Sequence, residues 1–283
     1  MIAADIPAAN RLREQAGWNQ TPEDWQRLLR WEPAGCFIAE RPDRQVVGTV
    51  TTTVYGGARR LAWVGMLLVD QESRRRGLGR ALLTHALQWL ERNSVLSVAL
   101  DATPLGKTLY DGMGFADLYT LQRREARAPT FGTPIADPGL RPLSTQAVER
   151  LVELDAAVFF GADRRRVLRD LVAAHPTGCW LQEGADGAVA GYVCSRPGAR
   201  AWYIGPLVAR DPVSARRLLR CALAPLAGRP VILDTPDRDI HASALAADFG
   251  FEPRRPFIRM VRGAPLTLAR TDWCYAIAGP EIG

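Results

Sequence analysis

Lysine is almost missing from this chain of 283 residues: Lys107 is the only one, and arginine supplies the rest of the 36 basic residues. The formal net charge of +6 therefore reflects a bias toward arginine, and it is no sign of the dedicated basic face that nucleic-acid binding requires. Cysteine is sparse as well. The five cysteines (Cys36, Cys179, Cys194, Cys221 and Cys274) are scattered among apolar neighbours, which excludes a disulfide framework and a metal site and predicts buried reduced thiols. No apolar run approaches the roughly 18–20 residues of a membrane span. The opening "MIAADIPAAN" has neither the charged nor the apolar region of a secretory signal. A cytoplasmic protein with no membrane or nucleic-acid partner is expected. Its length favours two domains, and 47% hydrophobic with 23% charged residues is an ordinary globular composition.

What the sequence does have is internal repetition. "CFIAERPDRQVVGTV" from Cys36 aligns without a gap with "CWLQEGADGAVAGYV" from Cys179, carrying Gly48 onto Gly191. "WVGMLLV" around Gly65 then matches "YIGPLVA" around Gly205, "VALDATP" matches "VILDTPD", and Gly114-Phe115 matches Gly250-Phe251. The chain reads as a tandem duplication. The segment Ala126 to Pro142, rich in Pro and Gly, sets the boundary near residue 130, giving domains 1–130 and 131–283. In each half, helical periodicity comes first (7–15 and 22–30; 145–158 and 163–173). In the first half strands at 36–41, 46–54 and 60–69, a helix over 78–92, a strand at 95–102 and a helix over 106–112 follow. The fold class is α/β (α+β): two similar domains, each a mixed, mostly antiparallel sheet flanked by helices.

The most informative stretch is "SRRRGLGR", Ser73 to Arg80, at a strand-to-helix junction. Glycines let the backbone curl toward an anion, successive N–H groups from Arg75 to Arg80 form a nest, and the following helix directs its positive end there. The spacing suits a pyrophosphate. It matches neither a Walker loop nor the dinucleotide G-x-G-x-x-G.

"MLLVDQESRRRGLGRALL" resembles motif A of the GNAT superfamily of N-acetyltransferases, and "LYDGMGF" (Leu109 to Phe115) resembles motif B of the same family. The resemblance implies an acetyl-CoA-dependent transfer of an acetyl group directly to a primary amine, with a small molecule or peptide as acceptor and no metal. It implies that Leu67, Leu68 and Val69 lie along the pantetheine arm. Arg74, Arg75, Arg76, Gly77, Leu78, Gly79 and Arg80 would hold the pyrophosphate, and Tyr110 would protonate the departing thiolate. The chain departs from the family in two places: Thr103 stands where an Asn is usual, and the strand expected before the first helix is either missing or supplied by the other half. A non-catalytic CoA-binding module is the alternative reading.

The second half resembles the degenerate GNAT-like domain of some tandem acetyltransferases. Arg217 and Leu219 replace both loop glycines, so no CoA site is expected there. Asp155, Phe159, Phe160 and Arg164 either line the acceptor cleft or pack helices and form a surface ion pair. For the general base, His85, Glu40, Asp101, a water chain and the carboxylate of Gly283 stay open. Asp101 has an equivalent, Asp234, in the half expected to be inactive, which favours a structural role in capping the following turn.

Overall fold

The computed structural model describes residues 1–56, 61–130, 139–238, 240–267 and 270–283. Residues 131–138, within the segment expected to separate the domains, lie outside the described residues. In the first half Pro7 opens α1 (Ile6–Gln15) and Thr21 caps α2 (Pro22–Trp31), accepting from the Asp24 amide. Then follow β1 (Cys36–Glu40), β2 (Val46–Tyr55), β3 (Leu61–Val69), α3 (Leu78–Arg92), β4 (Ser97–Ala102), α4 (Pro104–Asp111) and β5 (Ala116–Arg127). The second half repeats the series after β6 (Leu140–Pro142): α5 (Val152–Val158), α6 (Arg165–Ala174), β7 (Trp180–Glu183), β8 (Val189–Arg196), β9 (Trp202–Ala209), α7 (Pro212–Leu223), β10 (Pro230–Pro236), α8 (Ile240–Asp248) and β11 (Glu252–Gly263). A last short strand, β12 (Cys274–Ala276), has no counterpart in the first half. The helix expected over 145–158 forms only in part, since Ala147–Leu151 is a 3-10 turn. No strand precedes α1; Ala3–Asp5 is also a 3-10 turn.

Both halves join in one 12-stranded sheet of order β1-β2-β3-β4-β11-β5-β10-β9-β8-β7-β6, with β12 on β9. Among the described residues, β3 with β4 and β9 with β10 run parallel and the other strand pairs antiparallel. The centre of the order exchanges strands: β11 of the second half lies between β4 and β5, and β5 of the first half lies between β11 and β10. Two equivalent buried ion pairs fasten the exchange. Arg259 on β11 makes a bidentate pair with Asp101 on β4, both bonds 2.8 Å, and Arg123 on β5 pairs with Asp234 on β10 at 2.8 and 2.7 Å. Asp101 thus anchors the partner half's strand, and Thr103, whose hydroxyl accepts from Gly106, caps the turn instead.

The sheet is covered by repeated apolar stripes. On α3, Leu82, Leu83, Ala86, Leu87 and Leu90 are buried against Val50, Ala62, Val98 and Leu100, each large side chain contributing roughly 1.5–3 kcal/mol of burial. On α7, Leu218, Leu219 and Ala222 do the same for the second half. A third cluster bridges the halves, packing Trp25, Leu28, Tyr55 and Trp63 against Phe159, Phe160, Leu168 and Tyr192. Within it Arg164 binds Asp155 (Nε–Oδ2 2.9 Å, Nη2–Oδ1 2.8 Å), so this is a buried pair and not a surface one. Cys36, Cys179 and Cys194 are buried, Cys221 and Cys274 half-buried, and no disulfide joins them among the described residues. Among the described residues no helix is long and apolar enough to cross a membrane.

Candidate active site

The site begins where two parallel strands part. β3 and β4 pair only from Leu61↔Ser97 to Trp63↔Ala99. Beyond this, Met66 adopts φ 50° and the register with β2 slips between Thr49 and Thr51, a bulge that bends β3 away from β4. The main chain from Gly65 to Val69 is left with β2 on one side and an open cleft on the other.

At the end of β3 the chain is held by Asp70, which is buried and accepts from Arg11 (2.8 Å), Gln15 (3.2 Å) and the Glu72 amide (3.1 Å). The Arg11 bond keeps the Asp70 carboxyl below its usual range, against the opposing effect of burial. The Arg74 guanidinium folds back onto the Val69 carbonyl at 3.2 Å. Arg75 (φ 60°) and Gly77 (φ 80°) then take left-handed conformations, the alternation that turns successive N–H groups inward. α3 starts at Leu78, its first amide-to-carbonyl bond is Ala81 to Gly77, and the amides of Arg75 to Arg80 have no carbonyl partner among the described residues. The amides of Arg75 to Arg80 and the positive end of the α3 dipole thus lie together at the start of the helix, while the Arg80 guanidinium donates to the Gly112 carbonyl at 3.2 Å.

Across the cleft stands α4. Its Tyr110 is half-buried, packs edge-on to Phe115 with centroids 5.8 Å apart, and offers its hydroxyl to no described residue. Gly106 makes room for it: a Cβ there would lie 3.1 Å from the Tyr110 ring. Burial pushes the Tyr110 phenol well above its ordinary range, so it stays protonated at working pH.

One cavity of about 760 Å³ joins these parts. It is lined by Leu67, Leu68, Val69, Arg74, Arg75, Gly77, Leu78, Gly79, Arg80 and Tyr110; Arg76, expected with them, points its exposed side chain elsewhere and is not part of the lining. The other end is built from segments far away in sequence: Trp18 and Gln20 after α1, Arg123 on β5, Arg255 and Phe257 on β11, and Pro280 and Glu281 near the end of the chain. This last segment is stitched into the first half. Trp63 donates to the Pro280 carbonyl (2.9 Å), Tyr55 to Ile282 (2.7 Å), and Arg164 to the Gly283 carbonyl. Gly65 allows the approach, since a Cβ there would come within 2.7 Å of the Glu281 carbonyl oxygen.

Glu281 is the acidic group that sequence reasoning missed. Its side chain is buried, accepting from Gln20 (2.7 Å) and Arg196 (2.7 Å) at the cavity wall. Of the proposed bases only Asp101 reaches the cavity, and Arg259 occupies both its oxygens. Glu40 ends β1 in a 3.8 Å pair with Arg44, and His85 lies exposed beside Phe37. Gly283 accepts from Arg164; Phe159 and Phe160 belong to the core cluster, the Arg164–Asp155 pair is buried beside it, and none of the four lines this cavity.

The equivalent opening in the second half is filled. β9 and β10 pair only at Trp202↔Val231 and Tyr203↔Ile232, and β12 enters the gap, pairing antiparallel with Leu207 and Val208 while Ile277 donates to the Asp234 carbonyl at 3.0 Å. The N-terminus of α7 is also occupied: the Asp211 carboxylate accepts from the amides of Val213 and Ser214, both at 2.9 Å.

Comparison with known proteins agrees with this geometry. Residues 7–115 match the model of the acetyltransferase (GNAT) family, and residues 151–276 match that of an acetyltransferase (GNAT) domain. Over 275 residues the chain is 25% identical to the uncharacterized N-acetyltransferase YitH of Bacillus subtilis, covering 96% of this chain and 93% of the relative. A crystal structure from Pyrococcus horikoshii superposes with a TM-score of 0.83 at 24% identity, covering 100% of this chain and 94% of that one. A tandem GNAT protein from the clavulanic acid biosynthesis pathway superposes with a TM-score of 0.60 at 19% identity, covering 94% and 98%. The chain belongs to the GNAT acetyltransferases, an acyltransferase built of two GNAT domains in tandem.

Proposed function

We propose that the first half, residues 1–130, binds acetyl-CoA and transfers its acetyl group directly to a primary amine held between the halves, while the second half, 131–283, binds no CoA and closes the acceptor end. The observation that carries this reading is the single cavity in which the unpaired amides of Arg75 to Arg80, the unpartnered Tyr110 hydroxyl and the buried Glu281 carboxylate meet. The nest and dipole fit a diphosphate, and the free main chain of Leu67 to Val69 fits an arm bearing amides. For the second half, β12 in the corresponding gap and the Asp211 carboxylate on the helix N-terminus support the absence of a site.

Acetyl-CoA supplies the activated thioester. A main-chain N–H of Leu68 or Val69 donates to its carbonyl oxygen, where a single well-aimed donor is worth about 3 kcal/mol as charge develops. Glu281 takes a proton from the acceptor ammonium, freeing the nitrogen lone pair to attack the carbonyl carbon. As the new C–N bond forms and the C–S bond breaks, Tyr110 gives its proton to the sulfur; the nitrogen, still carrying one proton more than the amide product, releases it through water to the Tyr110 phenolate, and Glu281 returns its proton to solvent. Glu281 is held by Arg196 and Gln20, and the Tyr110 ring by its packing on Phe115, which orients both groups for the reacting atoms.

Calorimetry with CoA and a thiol-release assay with acetyl-CoA and a panel of amines test the reading. Tyr110→Phe is expected to bind acetyl-CoA as the parent does and to lose about 10- to 100-fold in kcat. A chain with no affinity for CoA overturns the proposal, and undiminished turnover by Tyr110→Phe removes the acid role.

A further inference from the structure

We propose that the acceptor amine carries a carboxylate and that Arg255 receives it; the site takes an amino acid type of substrate, ammonium toward Glu281 and carboxylate on Arg255. The inference rests on the reading of this cavity as the acetyl-transfer site. It comes from the charges at the acceptor end, all but one of which are matched. Asp101 is bound by Arg259, Arg123 by Asp234 and Glu281 by Arg196. Arg255 sits directly across from Arg123 in the β5–β11 register, lines the cavity, and has no carboxylate partner among the described residues. Glu125 and Glu252, on the same two strands, are bound by Arg254 at 3.3 and 3.4 Å.

The Arg255 Nε is buried with no hydrogen-bond partner. Leaving such a donor unsatisfied is costly, and at a cavity wall it calls for a partner. The Arg255 guanidinium carbon lies 4.9 Å from the Phe257 ring centroid, and a guanidinium can receive a carboxylate through two N–H groups. Burial, with Arg123 nearby, pulls Arg255 down to about 10, which still leaves it cationic at neutral pH. An acceptor bringing a carboxylate to the guanidinium offsets the repulsion between the two arginines. Glu281, held by Arg196 and Gln20 on the same cavity wall, is the carboxylate that the proposed reaction turns toward the ammonium, so the ligand is a zwitterion.

The test uses the full chain with acetyl-CoA and four sets of acceptors: amino acids, their amides, the corresponding decarboxylated amines and aminoalkyl phosphates. Amino acids are expected to exceed the amides and plain amines at least tenfold in kcat/KM. Arg255→Gln is expected to raise the KM for amino acids tenfold or more and to abolish their advantage over the amides, while the KM for acetyl-CoA stays put, and Arg255→Lys restores part of the loss. CoA affinity equal to the parent's shows that the variants are folded. Amides, plain amines or aminoalkyl phosphates matching the amino acids overturn the inference, as does an unchanged KM in Arg255→Gln. A chain that binds CoA but neither acetylates nor binds any amino acid defeats this inference alone; one that does not bind CoA defeats the site reading as well.

Discussion

The two loop glycines serve different ends, and a pair of alanine substitutions separates them. Gly77 caps α3 at φ 80°, and a Cβ there would meet nothing within 4 Å, so the cost of Gly77→Ala is conformational. Holding an L-residue in the left-handed region costs about 1–2 kcal/mol. Gly79 lies in the first turn of the helix, where a Cβ would sit 3.5 Å from Leu109 and 3.8 Å from Val69, ordinary contact distances. Alanine there gains up to about 1 kcal/mol of helix propensity. The melting temperature therefore moves in opposite directions, down for Gly77→Ala and up for Gly79→Ala, by roughly 2–4 °C per kcal/mol for a chain of this order of size. Binding diverges further. If residue 77 relaxes to negative φ, its own amide and that of Leu78 turn out of the nest, and each bond to a charged group is worth about 1.5–3 kcal/mol, or 10- to 100-fold in CoA affinity. Gly79→Ala keeps its amide in helical position and is expected to hold CoA within about threefold of the parent. Paired calorimetry and thermal melts decide it: a Gly77→Ala chain that binds CoA like the parent, or two variants weakened alike, refutes the nest.

Other expectations concern charge. Glu281→Gln keeps acceptor and donor atoms at Arg196 and Gln20 but cannot take a proton, so kcat/KM at neutral pH falls by about 10²- to 10⁴-fold, partly regained at high pH as the free amine accumulates; a pH profile parallel to the parent's speaks against the base role. Asp234→Ala strands the buried Arg123 and is expected to cost about 3–5 kcal/mol, read by denaturant titration. Because β5 of the first half pairs with β10 of the second, loss of that ion pair should lower the stability of both halves in one transition, whereas two separated transitions would argue that the exchanged sheet is not cooperative. At Asp70 the folded-state carboxyl is depressed by Arg11, so its contribution is fully present well above the ordinary value of 3.8 and is lost as pH falls through the lower folded value. The difference in melting temperature between the parent and Asp70→Asn should therefore shrink on acidification below that value.

What the sequence made legible were features whose physics is local. The anion loop is readable because φ > 0 at Gly77 and a helix start at Leu78 are encoded within a few residues, and the duplication is readable because each strand keeps its own apolar pattern. The acceptor end has no such signal. Glu281 and Arg255 reach the cavity only because β11 crosses into the first half's sheet and the segment after β12 is stitched to Tyr55 and Trp63. A strand that pairs with its own half and one that exchanges carry the same alternation, so no period in the sequence tells them apart. The trace that does exist is a pattern of charges: aspartates at the ends of equivalent strands, Asp101 and Asp234, and arginines on the equivalent following strands, Arg123 and Arg259, each pair made across the halves. A buried Arg–Asp pair is worth little unless both partners arrive together. Two such pairs related by the duplication make the exchanged arrangement the one that leaves neither aspartate uncompensated. The same crossing strand that brings Arg259 to Asp101 also carries Arg255 to the cavity, so the exchange that holds the halves together is what gives the active half its acceptor wall.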